Sequence, residues 1–174
     1  MRVGFVLAPL ALILSACGSS KDPVAKDPVA NTLAQPSEHV TLRGTVTSNG
    51  KSQAFTAAGD FTNHPDRGTM TMHFGIQTIH EVITGSRVYI RSSALKLAKG
   101  KSWLLVDATS DAAGTQTPAH MLRHGYPVTV KDGLVRHIAL KTKTLTMSVD
   151  LSQFGAPVHV QVPAAATTTR KDVS

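Results

Sequence analysis

From about residue 39 to residue 163 apolar and polar side chains alternate with a period of two, the pattern of strands with one buried face. Val40, Leu42, Gly44 and Val46 alternate with Thr41, Arg43, Thr45 and Thr47, and Asn49-Gly50 is a strong hairpin signal. Phe55, Ala57, Gly59 and Phe61 then predict the inner face of a return strand. A loop over Asn63 to Gly68 leads to Met70, Met72 and Phe74 in phase, Gly75 bends the chain, and Ile79, Glu81 and Ile83 follow. Thr84-Gly85-Ser86 reverses it into Val88-Tyr89-Ile90.

Ala94 to Lys99 fits either one helical turn or a loop, and Trp103 to Asp107 reads as a strand apolar on both faces and therefore covered on both. One helix of up to two turns is predicted from about Pro118 to His124. Tyr126 to Val130, a turn at Asp132-Gly133, and Leu134, Ile138 and Leu140 in phase predict a further hairpin. Leu145, Met147, Val149 and Leu151 alternate most cleanly of all, Phe154 to Pro157 breaks the strand, and Val158, Val160 and Val162 predict the last one. The pattern describes a mainly β domain: a single curved antiparallel sheet, a half-barrel of about nine or ten strands, with one or two short helices.

The two ends of the chain break this period. Arg2 is followed by an apolar run from Val3 to Leu14 that contains Pro9 and is shorter than the roughly 20 residues a spanning helix needs. Leu14-Ser15-Ala16-Cys17 resembles the lipobox of bacterial lipoproteins, which implies cleavage after Ala16 and a diacylglyceryl thioether on Cys17. Residues 1–16 are thus expected to be a signal peptide, and Cys17 the lipidation site that anchors the chain to the extracytoplasmic face of a cell membrane, with palmitate the typical acyl chain. The tandem Lys21-Asp22-Pro23-Val24-Ala25 and Lys26-Asp27-Pro28-Val29-Ala30 has little to bury, so residues 17–38 read as the lipidated cysteine and a flexible tether. The β domain is expected over 39–163 and a disordered tail over 164–174.

Charge and composition narrow the function. Lys and Arg number 18 against 11 Asp and Glu, a net +7. An exported chain rarely meets nucleic acid, so this balance fits an anionic lipid headgroup surface or acidic wall polymer. With one cysteine no internal disulfide is available, and stability must come from a packed core. His120 and His124 have zinc-ligand spacing, yet Met121-Leu122-Arg123 lacks the metalloprotease glutamate and no third ligand is near in sequence, so a solvated helix face is the expectation and no metal is assigned. His73 and His80 are expected to be cross-strand polar neighbours. Ser93-Ala94-Leu95-Lys96 matches S-x-x-K without its companion motifs. No catalytic residue and no cofactor is assigned, and the chain is expected not to be an enzyme.

Gly59-Asp60-Phe61, Glu81-Val82-Ile83 leading through Gly85 into Val88-Tyr89-Ile90-Arg91, Trp103 with Leu105 and Asp107, and Asp150 to Val158 running on to Val162-Pro163 form a series of short stretches. Together they resemble the lipoprotein-carrier superfamily typified by LolA and LolB, and more closely the actinobacterial envelope lipoproteins of the LppX and LprG type. The family's helical segments are reduced here to Asn31 to Glu38 and Ala108 to Gly125. The resemblance implies a curved sheet wrapped round helices, with an apolar cavity that holds acyl chains. Phe61, Met70, Met72, Phe74, Tyr89, Trp103 and Met147 are the residues expected to line it, although Tyr89 and Trp103 also fit core packing. The expected ligand is a lipid or glycolipid. The alternative is a structural or interaction lipoprotein without a pocket, partnered by another envelope protein.

Overall fold

The computed structural model describes residues 27–107 and 117–171. The expected signal peptide, Cys17, the first repeat unit and the start of the helical stretch after Asp107 lie outside the described residues. Ten strands form one open sheet: β1 Ser37–Ser48, β2 Lys51–Asn63, β3 Asp66–Phe74, β4 Gln77–Thr84, β5 Arg87–Ser92, β6 Trp103–Asp107, β7 Val128–Lys131, β8 Leu134–Lys141, β9 Leu145–Ser152 and β10 Thr168–Lys171. Their order is β10-β6-β5-β4-β3-β2-β1-β9-β8-β7. Among the described residues two six-residue α-helices, α1 Pro28–Leu33 and α2 Pro118–Arg123, accompany the sheet.

Long hairpins account for most of this order. β1 and β2 pair in register from Ser37 opposite Thr62 to Ser48 opposite Lys51. Asn49 and Gly50 join them at φ 51° and 74°, the positive values a two-residue type I′ turn requires. β1 also pairs with β9, placing Leu42 opposite Val149 and Val40 opposite Leu151. Directly opposed residues share a face. Leu42, Ala57, Met72 and Ile79 therefore make one transverse row on the inner face, and Gly44, Phe55 and Phe74 the next. Phe61 (1% exposed), Ile83, Ile138 and Val149 belong to the core that α2 completes with Met121 and Leu122.

Each helix is fixed by a side-chain cap. The Asp27 carboxylate accepts from the Ala30 N–H at 2.9 Å and Thr117 from that of His120 at 3.2 Å, and each helix begins with proline at its first position. Thr32 secures α1 to the sheet: its buried hydroxyl donates to the Pro28 carbonyl at 2.7 Å and accepts from the Val135 N–H at 2.8 Å. The second repeat unit, expected in the tether, thus carries the start of a helix, because Asp27-Pro28 is a capping pair as well as a spacer.

The structure departs from the sequence pattern in the last third. Val158, Val160 and Val162 form no strand. Ala156, Val158 and Val160 are half-buried and alternate with exposed Pro157, His159 and Gln161, so the alternation marks an extended segment lying on the protein without a ladder partner. The tail expected to be disordered contributes β10, which pairs parallel to β6 from Thr168 opposite Trp103 to Lys171 opposite Val106. Backbone hydrogen bonding to a free edge, not apolar burial, makes this strand, and Arg170 pairing with Asp107 and Lys101 Nζ donating to Ala166 at 2.9 Å hold it. The sheet is accordingly mixed, with every other neighbouring pair antiparallel. The pairing of β7 with β8 shifts register between Thr129 and Val130, which puts Val135 in the core (0% exposed) where Leu134 was expected.

Candidate functional site

An apolar cavity of about 270 Å³ lies between α2 and the inner face of the sheet, lined by Leu42, Phe55, Met70, Met72, Met121, Tyr126, Leu140, Leu145 and Met147. The chain has five methionines, and the four beyond Met1 all line this space. Methionine is unbranched and polarisable, so its clustering gives walls that adapt to an apolar guest. Leu42, Met70 and Met121 at one side are buried, whereas Met72, Leu140 and Leu145 are partly exposed. Phe74 stacks on Phe55 with ring centroids 6.0 Å apart at the partly exposed side, which forms the mouth.

A larger and more polar cleft of about 800 Å³ adjoins the cavity and shares Phe55, Tyr126, Leu140 and Met147 with it. Its other lining residues include Arg43, Thr45, Thr56 and Lys141 from the outer face.

Two carboxyls are buried on the inner face. Glu81 stands between Met70 and Ile90 in one transverse row, 6% exposed, and its Oε2 has no hydrogen-bond partner. Burial, which penalises the anion, pushes its pKa up to about 7. Glu38, 1% exposed, is also pushed up to about 7, chiefly by burial and against the opposing effect of the hydrogen bond from Asn63. Asn63 Nδ2 donates to Glu38 Oε2 at 2.7 Å and to the Gln35 carbonyl at 3.0 Å, tying the end of β2 to the segment after α1. Asp66 is raised by burial too, with Thr117 and then Arg123 working against that.

Of the residues expected at the site, Met70, Met72 and Met147 line the cavity. Phe74 stands at its mouth, and Phe61 packs three rows deeper in the same core. Tyr89 and Trp103 are not brought there. Tyr89 pairs with Val82 and Leu105 on the outer face, since its neighbour Ile90 is the one opposite Glu81 on the inner face. Trp103 shares the outer parity of Leu105, is partly exposed, and lies under the Arg91 guanidinium at 4.8 Å. A strand apolar on both faces leaves its parity ambiguous, and parity decides which residues reach the cavity.

Leu42, Phe55, Leu140 and Leu145 were missed although their alternation puts them in phase with Met72 and Met147. Met121 and Tyr126 come from α2 and the chain after it, and nothing local points them at the sheet.

The histidines have local explanations. His80 bonds Thr71 and His73 bonds Thr78, both at 3.2 Å, across β3 and β4. His39 pairs with Asp60 at 2.7 Å and His137 with Asp150 at 2.8 Å. His120 and His124 stack with centroids 3.8 Å apart, and no group of three or more potential metal ligands occurs among the described residues. No helix among the described residues is long and apolar enough to cross a membrane.

No family model and no curated protein matches the sequence. Among solved structures the chain is similar to that of LprF from Mycobacterium bovis, at 11% sequence identity and a TM-score of 0.49, covering 82% of this chain and 96% of that one. At that distance the likeness brings no ligand and no function to this chain.

Proposed function

We propose that the protein is an envelope lipoprotein, anchored through acylated Cys17, that binds a lipid or lipid-modified molecule by taking an alkyl segment into the methionine-lined cavity. The observation that carries this reading is the cavity itself: nine lining residues, four of them methionine, with no charged side chain among them. Its volume of about 270 Å³ stands just below the roughly 300 Å³ at which ligand pockets begin, which suits one alkyl segment and wall side chains that yield to it. Leu14-Ser15-Ala16-Cys17 supports the anchor.

A fluorescent fatty acid titrated into the protein tests the cavity. Saturable uptake is expected, displaced by unlabelled lipid and lost in Met72→Trp, whose larger side chain fills the space. Uptake equal in that variant, or none in the native chain, contradicts the reading. Labelled palmitate should be incorporated by the native chain and not by Cys17→Ser.

A further inference from the structure

The hairpin topology sorts charge between the two ends of the sheet. The β1–β2 turn, the β3–β4 turn, the β5–β6 connection and the β8–β9 turn all fall at one end, because β1, β3, β5 and β8 run towards it and β2, β4, β6 and β9 return from it. That end is the cavity mouth, where Phe55, Phe74, Leu140 and Leu145 lie. Its connections carry Lys51, Lys96, Lys99, Lys141 and Lys143, all exposed. None has an acidic partner among the described residues, and no connection at this end contains Asp or Glu.

The described acids lie elsewhere. Asp66, Asp107 and Asp132 are at the other end with Arg87, Arg123 and Arg136, with which they pair. Asp60 and Asp150 stand mid-strand against His39 and His137.

Between the lysine-bearing β5–β6 and β1–β2 connections the β3–β4 turn lifts Ile76 fully into solvent, at 104% of its reference exposure. Single exposed apolar residues are ordinary on protein surfaces. Here one projects from the tip of a two-residue turn, next to an apolar mouth and among unpaired cations. α1, where the described chain starts, is bonded to the turn after β7 at the opposite end and does not cover this one.

We infer that this end docks onto an anionic lipid bilayer, with the five lysines on headgroup phosphates and Ile76 inserted at the headgroup level. Docking would bring the cavity mouth against the lipid surface, so the inference rests on the proposed function for its purpose, though not for its chemistry. Juxtamembrane lysines attract anionic surfaces and apolar side chains favour the acyl boundary, and both effects point the same end at the membrane.

The test uses the unacylated mature chain, residues 17–174 with Cys17→Ala, and vesicles of phosphatidylcholine alone or of equal parts phosphatidylcholine and phosphatidylglycerol. Sedimentation should show stronger attachment to the anionic vesicles, weakened by salt. Each surface lysine contributes about fivefold, so Lys51→Gln with Lys143→Gln should weaken attachment about 25-fold. Ile76→Ser, at unchanged charge, should weaken it about tenfold, and Ile76→Trp should shift its emission to the blue on anionic vesicles alone. Every altered side chain is exposed, and an unchanged melting temperature checks the fold. Equal attachment to both vesicle types, or none of these losses, overturns the inference. So does binding to soluble polyglutamate as strong as to vesicles and indifferent to Ile76, which would assign the lysines to a polymer. Failure of one reading is distinguishable from failure of the other: native protein that takes up no fatty acid yet prefers anionic vesicles leaves docking standing without the cavity, and native uptake lost in Met72→Trp with no preference for anionic vesicles leaves only the cavity.

Discussion

Glu81 gives the sharpest quantitative consequence of the buried interior. Its folded pKa is about 7 against 4.5 for a free glutamate, because burial disfavours the anion and no cation or donor offsets this. An acid whose pKa rises on folding binds its proton more tightly in the native state. Its contribution to stability is complete below pH 4.5 and is lost as the pH climbs through 7. At about 1.4 kcal/mol per pH unit the loss is about 3 kcal/mol. Glu81→Gln keeps the shape of the protonated side chain and cannot ionise. The variant should match the native chain near pH 4.5 and exceed it by about 3 kcal/mol near pH 8, measured by urea unfolding across that range. Equal pH dependence of the two proteins would refute the reasoning, since it would mean that Glu81 is not held away from water and counter-charge.

Thr32→Val leaves the buried Val135 N–H without its acceptor and should cost about 1–3 kcal/mol, loosening α1 in hydrogen exchange before the sheet. Gly68→Ala should cost about 1–3 kcal/mol by overpacking, because a Cβ there would stand 2.1 Å from the Phe61 ring, and Phe61→Leu added to it should recover part of the melting temperature. Ending the chain before Thr168 removes β10 and bares the β6 edge. The truncated protein should keep its β-sheet circular dichroism and aggregate faster by light scattering.

Most of the sheet was legible because hairpin chemistry and alternation agree. Asn49-Gly50 and Asp132-Gly133 take the positive φ angles that such pairs supply, and β9 repeats the alternation of Leu145 to Leu151. Legibility failed where hydrogen bonding and burial part company. Val158 and Val160 are half-buried without a ladder, while Thr168 to Lys171 has a ladder without apolar burial. The cavity was half legible for a related reason. Alternation puts Met70, Met72 and Met147 on the inner face, but β5 and β6 are apolar on both faces, so Tyr89 and Trp103 were read on the wrong side. The contribution of Met121 and Tyr126 depends on how α2 docks, which no local pattern encodes.

Native mass spectrometry of the protein, purified under mild conditions from its own membranes, tests the central claim most directly. The expected result is the acylated chain carrying one further non-covalent amphiphile, released on mild activation and absent from Met72→Trp. A single mass for chain and anchor alone, unchanged by added lipid, would mean that the methionine-lined space is no binding site.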